Sequence, residues 1–129
     1  MFKELSPNIK SSITRSISQT YEQYMERIDW NEEAYDIEDY LMSWKEYINE
    51  RALWYETLSA EQKEDPQFHE DMAVRINEVI LKMLTDPPSE EQIAAIEVLQ
   101  EELGTHFDYA CKAEATYVEN KLLRMKNKN

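Results

Sequence analysis

The chain has 129 residues, one glycine, four prolines and a formal net charge of −13. That length suffices for one domain with a modest core, and so few turn residues exclude an all-β protein, which needs them about every ten positions. The acidity disfavours direct, non-specific binding to a phosphate backbone, which relies on clustered Lys and Arg. Glu, Gln, Lys, Met, Leu and Ala are abundant and favour helices. The single cysteine, Cys111, has no partner for an internal disulfide, in keeping with a reducing cytoplasm. MFKELSPNIK carries no apolar signal-peptide segment, and no apolar run approaches the ~18 residues of a membrane span. The expectation is a soluble, cytoplasmic protein without a membrane partner.

In chain order, Ser6-Pro7 reads as an N-cap followed by the residue best tolerated at the first helical position. Ile9, Ile13, Ile17, Tyr21, Tyr24, Met25 and Ile28 then fall on one face, with Ser11, Ser12, Ser16 and Ser18 opposite, which predicts an amphipathic helix over 7–28. Asp29 and Asn31 are candidate caps of a second helix, with Glu32 and Glu33 in its positive first turn. Its apolar residues, Ile37, Tyr40, Leu41, Trp44, Tyr47, Ile48, Trp54, Tyr55 and Leu58, fill three adjoining heptad rows interrupted by Arg51. The rows predict one helix to about Leu58, broad enough in its apolar face to meet more than one neighbour.

Ser59 and Gln62 form a capping-box pattern that starts a short helical turn. Asp65-Pro66 restarts the chain, and Phe68, Met72, Ile76, Val79, Ile80, Met83 and Leu84 predict a third long helix over 66–84, which Pro87-Pro88 breaks. Ser89 and Gln92 give a second capping box. A helix over 90–103 follows, with Gly104 where a C-terminal glycine belongs. After THFDYA, Ala115, Val118 and Leu122 mark a last helix over 111–125, and the basic end RMKNKN should fray. The fold class is all-α: an irregular bundle of about five main helices in a single domain, with three long helices in 1–85 and a helix-loop-helix in 88–125.

Pro88, Ser89, Gln92, Ile96, Leu99, Glu102, Leu103 and Gly104, then Lys112, Ala113, Glu114, Ala115, Val118 and Leu122, set out a capped helix, an ELG stop, a loop and a KAEA helix. Residues 88–122 thereby resemble a small helix-loop-helix module found in phage and bacterial proteins. Cys111 stands where that module usually has a capping Thr, which puts the start of the last helix in question. The resemblance implies a phage or mobile-element setting, hence a bacterial or phage-infected cell, and no activity of its own.

The charge is uneven. Residues 29–65 hold twelve acids against three bases, whereas residues 1–28 hold four bases against three acids. Within the acidic segment, Glu33-Ala34-Tyr35-Asp36 and Glu61-Gln62-Lys63-Glu64 resemble the paired E-x-x-E/D motifs with which MazG-type nucleotide pyrophosphohydrolases hold magnesium. Acids are so common here that such pairs also arise by chance. His69 and His106 are the only histidines, too few for zinc or di-iron ligation, and no glycine-rich phosphate loop exists. Cys111 near His106 reads better as a small buried residue than as a nucleophile with its base. No metal or cofactor is expected.

Trp30, Tyr35, Tyr40, Trp44, Tyr47, Trp54 and Tyr55 lie among acids, whereas base-stacking aromatics lie among positive charge; core packing explains them better. The acids should then occupy the outer side of the second helix. Two readings stay open: a run that solvates a helix, or a selected docking face. On the second, Glu32, Asp36, Asp39, Met42, Glu46, Glu50 and Leu53 bind a protein partner with a basic surface, the two apolar residues supplying a desolvated centre. The sharpest form is a phage or mobile-element inhibitor of a nucleic-acid-handling or defence protein. The alternatives are a DNA-associated accessory protein using Lys121, Arg124, Lys126 and Lys128, and the magnesium-dependent hydrolase. The wide apolar arc of the second helix also allows a homodimer.

Overall fold

The structure is a computed structural model in which residues 5–128 are described. Seven helices lie within these residues, and no strand. They are α1 (Pro7–Arg27), α2 (Ile37–Arg51), α3 (Leu53–Glu56), α4 (Ala60–Glu64), α5 (Pro66–Thr85), α6 (Glu90–Leu103) and α7 (Lys112–Lys128). The all-α class and five main helices agree with the sequence pattern, with α3 and α4 as short additions. The chain divides into two compact units, Met1–Leu81 and Lys82–Asn129, so the division falls inside α5.

In the first unit, α1 begins as its residues dictate: Ile9 N–H donates to Ser6 Oγ at 3.3 Å, and Pro7 needs no partner at N1. Its end differs from expectation. Asp29 and Trp30 both adopt left-handed backbone, at φ 56° and 55°. Asp29 N–H donates to Glu26 O at 3.1 Å and Trp30 N–H to Met25 O at 2.8 Å. This pair of bonds is a Schellman stop, in which the left-handed residue is here an aspartate rather than glycine. Asp29 therefore ends α1 rather than starting α2. Asn31 closes a local turn by accepting Glu33 N–H at 3.0 Å. The N-cap of α2 is Asp36, whose Oδ1 accepts Glu38 N–H at 2.9 Å.

The expected helix over 29–58 is thus three pieces: turns over 28–36, then α2, then α3. The second break is at Ala52, extended at ψ 108° and 5% exposed. Heptad rows continue through that break because each piece turns its own aromatics inward, so the pattern does not register the interruption. Tyr40, Trp44 and Ile48 of α2, Trp54 of α3 and Leu58 are buried. Ile37, expected among them, is 38% exposed at the first turn, where the core does not reach.

α1 packs on α2 and α3. Their seam is aromatic: the Tyr21 ring meets the Tyr40 ring edge to face at 5.2 Å, and Tyr24 and Tyr35 extend the cluster. It is also polar. Ser16, expected on the outer side of α1, is buried, and its hydroxyl donates to Ile13 O at 2.7 Å. Thr20 Oγ1 donates to Ser16 O at 2.7 Å, and Tyr40 Oη donates to Ile17 O at 3.0 Å while lying 3.0 Å from Thr20 Oγ1. These bonds satisfy hydroxyls that burial would otherwise penalise. Burial pushes the Tyr40 phenol up to about 12; the Thr20 hydrogen bond opposes the rise and Tyr35 adds to it. The indole N–H groups of Trp30, Trp44 and Trp54 are buried with no hydrogen-bond partner among the described residues.

The rest of the first unit follows its caps. Ser59 and Gln62 complete a capping box at α4. Asp65 Oδ1 accepts Gln67 N–H at 2.9 Å where α5 starts at Pro66. Arg75 of α5 donates to Thr14 Oγ1 of α1 through Nε at 3.2 Å and Nη2 at 2.7 Å.

In the second unit α6 and α7 form a hairpin. Ser89 caps α6 by accepting Gln92 N–H, but the Gln92 side chain reaches across to Thr116 Oγ1 at 3.0 Å, so only half of the expected capping box forms. Gly104 ends α6 at φ 66°. Gln100 then holds the loop: its Nε2 donates to Phe107 O at 3.0 Å, and its Oε1 accepts from Phe107 N at 2.7 Å and Thr105 Oγ1 at 3.0 Å. Glu114 reaches back to accept Ala110 N–H at 2.7 Å, which secures the start of α7 without the hydroxyl that Cys111 lacks. Ile96, Leu99, Cys111, Ala115, Val118 and Leu122 are buried. The fraying expected of the basic end is not seen over 124–128, where α7 continues to Lys128; residue 129 lies outside the described residues.

Candidate functional site

α2 starts at Asp36 because two groups fix that residue. Its own carboxylate caps the helix, and Tyr24 Oη of α1 accepts Asp36 N–H at 2.9 Å while donating to Asp36 O at 3.1 Å. Helical spacing then decides what faces outward. At 3.6 residues per turn, Asp39, Met42, Glu46 and Glu50 fall within an arc of about 80°. All four are exposed, Met42 to 63%. Glu32, Glu33, Glu38 and Glu56 are exposed too, whereas Tyr40 and Trp44 are buried. Acids outward and aromatics inward is thus the arrangement, on a helix shorter than expected.

Four of the seven candidate residues form one continuous face. Three stand apart from it. Glu32 lies in the turn before α2, the Asp36 carboxylate is occupied as the cap, and Leu53, 77% exposed, begins α3 beyond the break at Ala52. Among the described residues, no ion pair involves Asp39, Glu46 or Glu50, whereas Arg75 pairs with Glu78 at 3.1 Å and Lys126 with Glu102 at 3.0 Å. Arg27 approaches α2 but donates to Ser43 Oγ at 2.8 Å and covers the Tyr24 ring.

The alternative sites fare differently. Glu33 and Asp36 lie in a turn and at a cap, and Glu61 and Glu64 on a helix of five residues, so the two facing helical motifs of a MazG-like centre do not form. Among the described residues no group of three or more His, Cys, Asp or Glu is placed to hold a metal ion. Cys111 is buried at 2% exposure and His106 is exposed. Of the C-terminal cations, Lys126 pairs with Glu102, and Lys121 lies over the Phe107 ring at 4.4 Å. No helix of the described residues is long and apolar enough to cross a membrane.

Sequence reasoning missed one feature of the first unit. Lys10, Ser11, Thr14 and Arg15 of α1 and Arg75 of α5 line an open cleft of about 530 Å³. The i, i+1, i+4, i+5 spacing of the α1 residues was the available signal, but nothing in the sequence brings Arg75 to them. No protein-family model, curated protein or solved structure matches the chain.

Proposed function

We propose that this chain is a non-catalytic interaction protein whose α2 outer face docks on a basic surface of a protein partner. The observation that carries the reading is the shared exposed face of Asp39, Glu46 and Glu50, unpaired among the described residues, with Met42 along its edge. Unneutralised like charges on one face repel one another and attract a cationic surface. Met42 is a flexible, exposed apolar side chain that would add desolvated contact area beside the acids. Leu53 and Glu32 flank this face. The resemblance of residues 88–122 to a phage and bacterial module supports a phage or mobile-element setting, and in that setting the narrower form is an inhibitor that occupies the basic groove of a nucleic-acid-handling or defence protein.

The test is capture of partners from a bacterial lysate at low salt, with release by a salt step, on wild type and on the triple variant Asp39→Lys/Glu46→Lys/Glu50→Lys. Asp36 is left intact because its carboxylate caps α2. The reading expects a discrete basic protein on wild type and its loss from the variant, with unchanged thermal midpoints. Equal retention on both would refute it.

A further inference from the structure

We propose that the cleft between α1 and α5 binds the phosphoryl group of a small, free phosphorylated compound. In a chain of net charge −13, three cations, Lys10, Arg15 and Arg75, line one cleft together with the hydroxyls of Ser11 and Thr14, and none of its lining residues is acidic. Hydroxyls and guanidinium groups are the donors that recognise phosphate oxygens. Arg75 is held in place beforehand. Its Nε and Nη2 donate to Thr14 Oγ1, and Nη1 donates to Glu78 Oε2 at 3.1 Å. A guanidinium has five N–H groups, so these three bonds leave two for a ligand. A fixed guanidinium gives up less side-chain entropy on binding than a mobile one.

The size and surroundings point to a small ligand. A volume of about 530 Å³ lies in the range of small-molecule sites. A nucleic-acid strand would extend beyond the cleft over a strongly acidic protein, and each further phosphate would meet repulsion rather than a cation. The site is separate from the α2 face and neither reading depends on the other.

The experiment is a titration of the full chain with inorganic phosphate, followed by amide chemical shifts, with a short single-stranded oligonucleotide as a second arm. Saturable shifts confined to residues 10–15 and the surroundings of Arg75 are expected. Arg75→Gln and Arg15→Gln should each weaken binding about tenfold or more, since each removes a charge-assisted donor. Arg15 is exposed, so its variant tests the site without disturbing the Thr14–Arg75 contact. Three results would each overturn the proposal: no saturable shift, shifts spread over lysines generally, or the oligonucleotide binding more tightly than phosphate.

Discussion

The α1–α2 seam and the α6–α7 hairpin solve the same problem, two helices sharing one buried face, by different chemistry. The hairpin is held mainly by buried Ile96, Leu99, Val118 and Leu122, with most of its side-chain hydrogen bonds towards the ends, where Ser89, Gln100 and Glu114 hold the caps and loop. The seam buries four tyrosine rings wholly or in part and places hydroxyls inside, on Ser16, Thr20 and Tyr40. Aliphatic packing is non-directional and tolerates sliding; hydrogen bonds at 3.0 Å do not. The seam thus fixes α2 in register on α1, and with it the acidic face that α2 presents.

The contrast predicts a graded set of responses. Leu122→Ala should cost the most, about 2–5 kcal/mol, because Leu122 is 0% exposed and the hairpin depends on aliphatic burial. Thermal melting by circular dichroism checks it; a loss below about 1 kcal/mol would mean the hairpin packs loosely. Tyr40→Phe should cost about 0.5–1.5 kcal/mol by removing the phenol's hydrogen bonds to Ile17 O and Thr20 Oγ1, both of which keep a partner within α1. Tryptophan fluorescence reads this change, since Trp30, Trp44 and Trp54 all lie in the first unit.

The same phenol carries a pH signature. Below pH 10, its ordinary value, it is neutral folded and unfolded. As pH rises from 10 towards about 12 the unfolded state ionises first, so wild type loses this stability across that window and Tyr40→Phe does not. Gly104→Ala should cost about 1 kcal/mol through left-handed backbone alone, because an added Cβ there meets nothing within 4 Å. Glu22→Gln should have the smallest effect and the opposite sign. Burial, then Glu26, raises the Glu22 carboxyl above its ordinary 4.5, so the charged form weakens the fold; the variant should be slightly more stable at pH 7 and equal to wild type well below 4.5.

The same contrast explains what the sequence disclosed. The hairpin was legible apart from the far end of α7 and half of the Ser89 capping box, because Ser89, Gly104 and the aliphatic spacing are local signals. Residues 29–58 were not. Their stop uses Asp29 and Trp30 in left-handed backbone, where neither residue type announces it, and the heptad rows run on through the break at Ala52. The cap at Asp36 was hidden among neighbouring acids, and Tyr24, which anchors it, is twelve residues away. Of the acidic face, Asp39, Met42, Glu46 and Glu50 followed from helical spacing, whereas Glu32 and Leu53 depended on a continuity the chain does not have. The basic cleft needed Arg75 brought to α1, a tertiary contact that no periodicity encodes.

The most direct test of the docking face is carboxylate footprinting: chemical labelling of Asp and Glu side chains, read by mass spectrometry, on the chain alone and with the protein released from it by salt. The account predicts that Asp39, Glu46 and Glu50 lose labelling in the complex while Glu61, Glu64 and Glu97 keep theirs. Undiminished labelling of the α2 acids, with protection elsewhere or nowhere, would contradict it and leave the acidic run as a solvated helix surface.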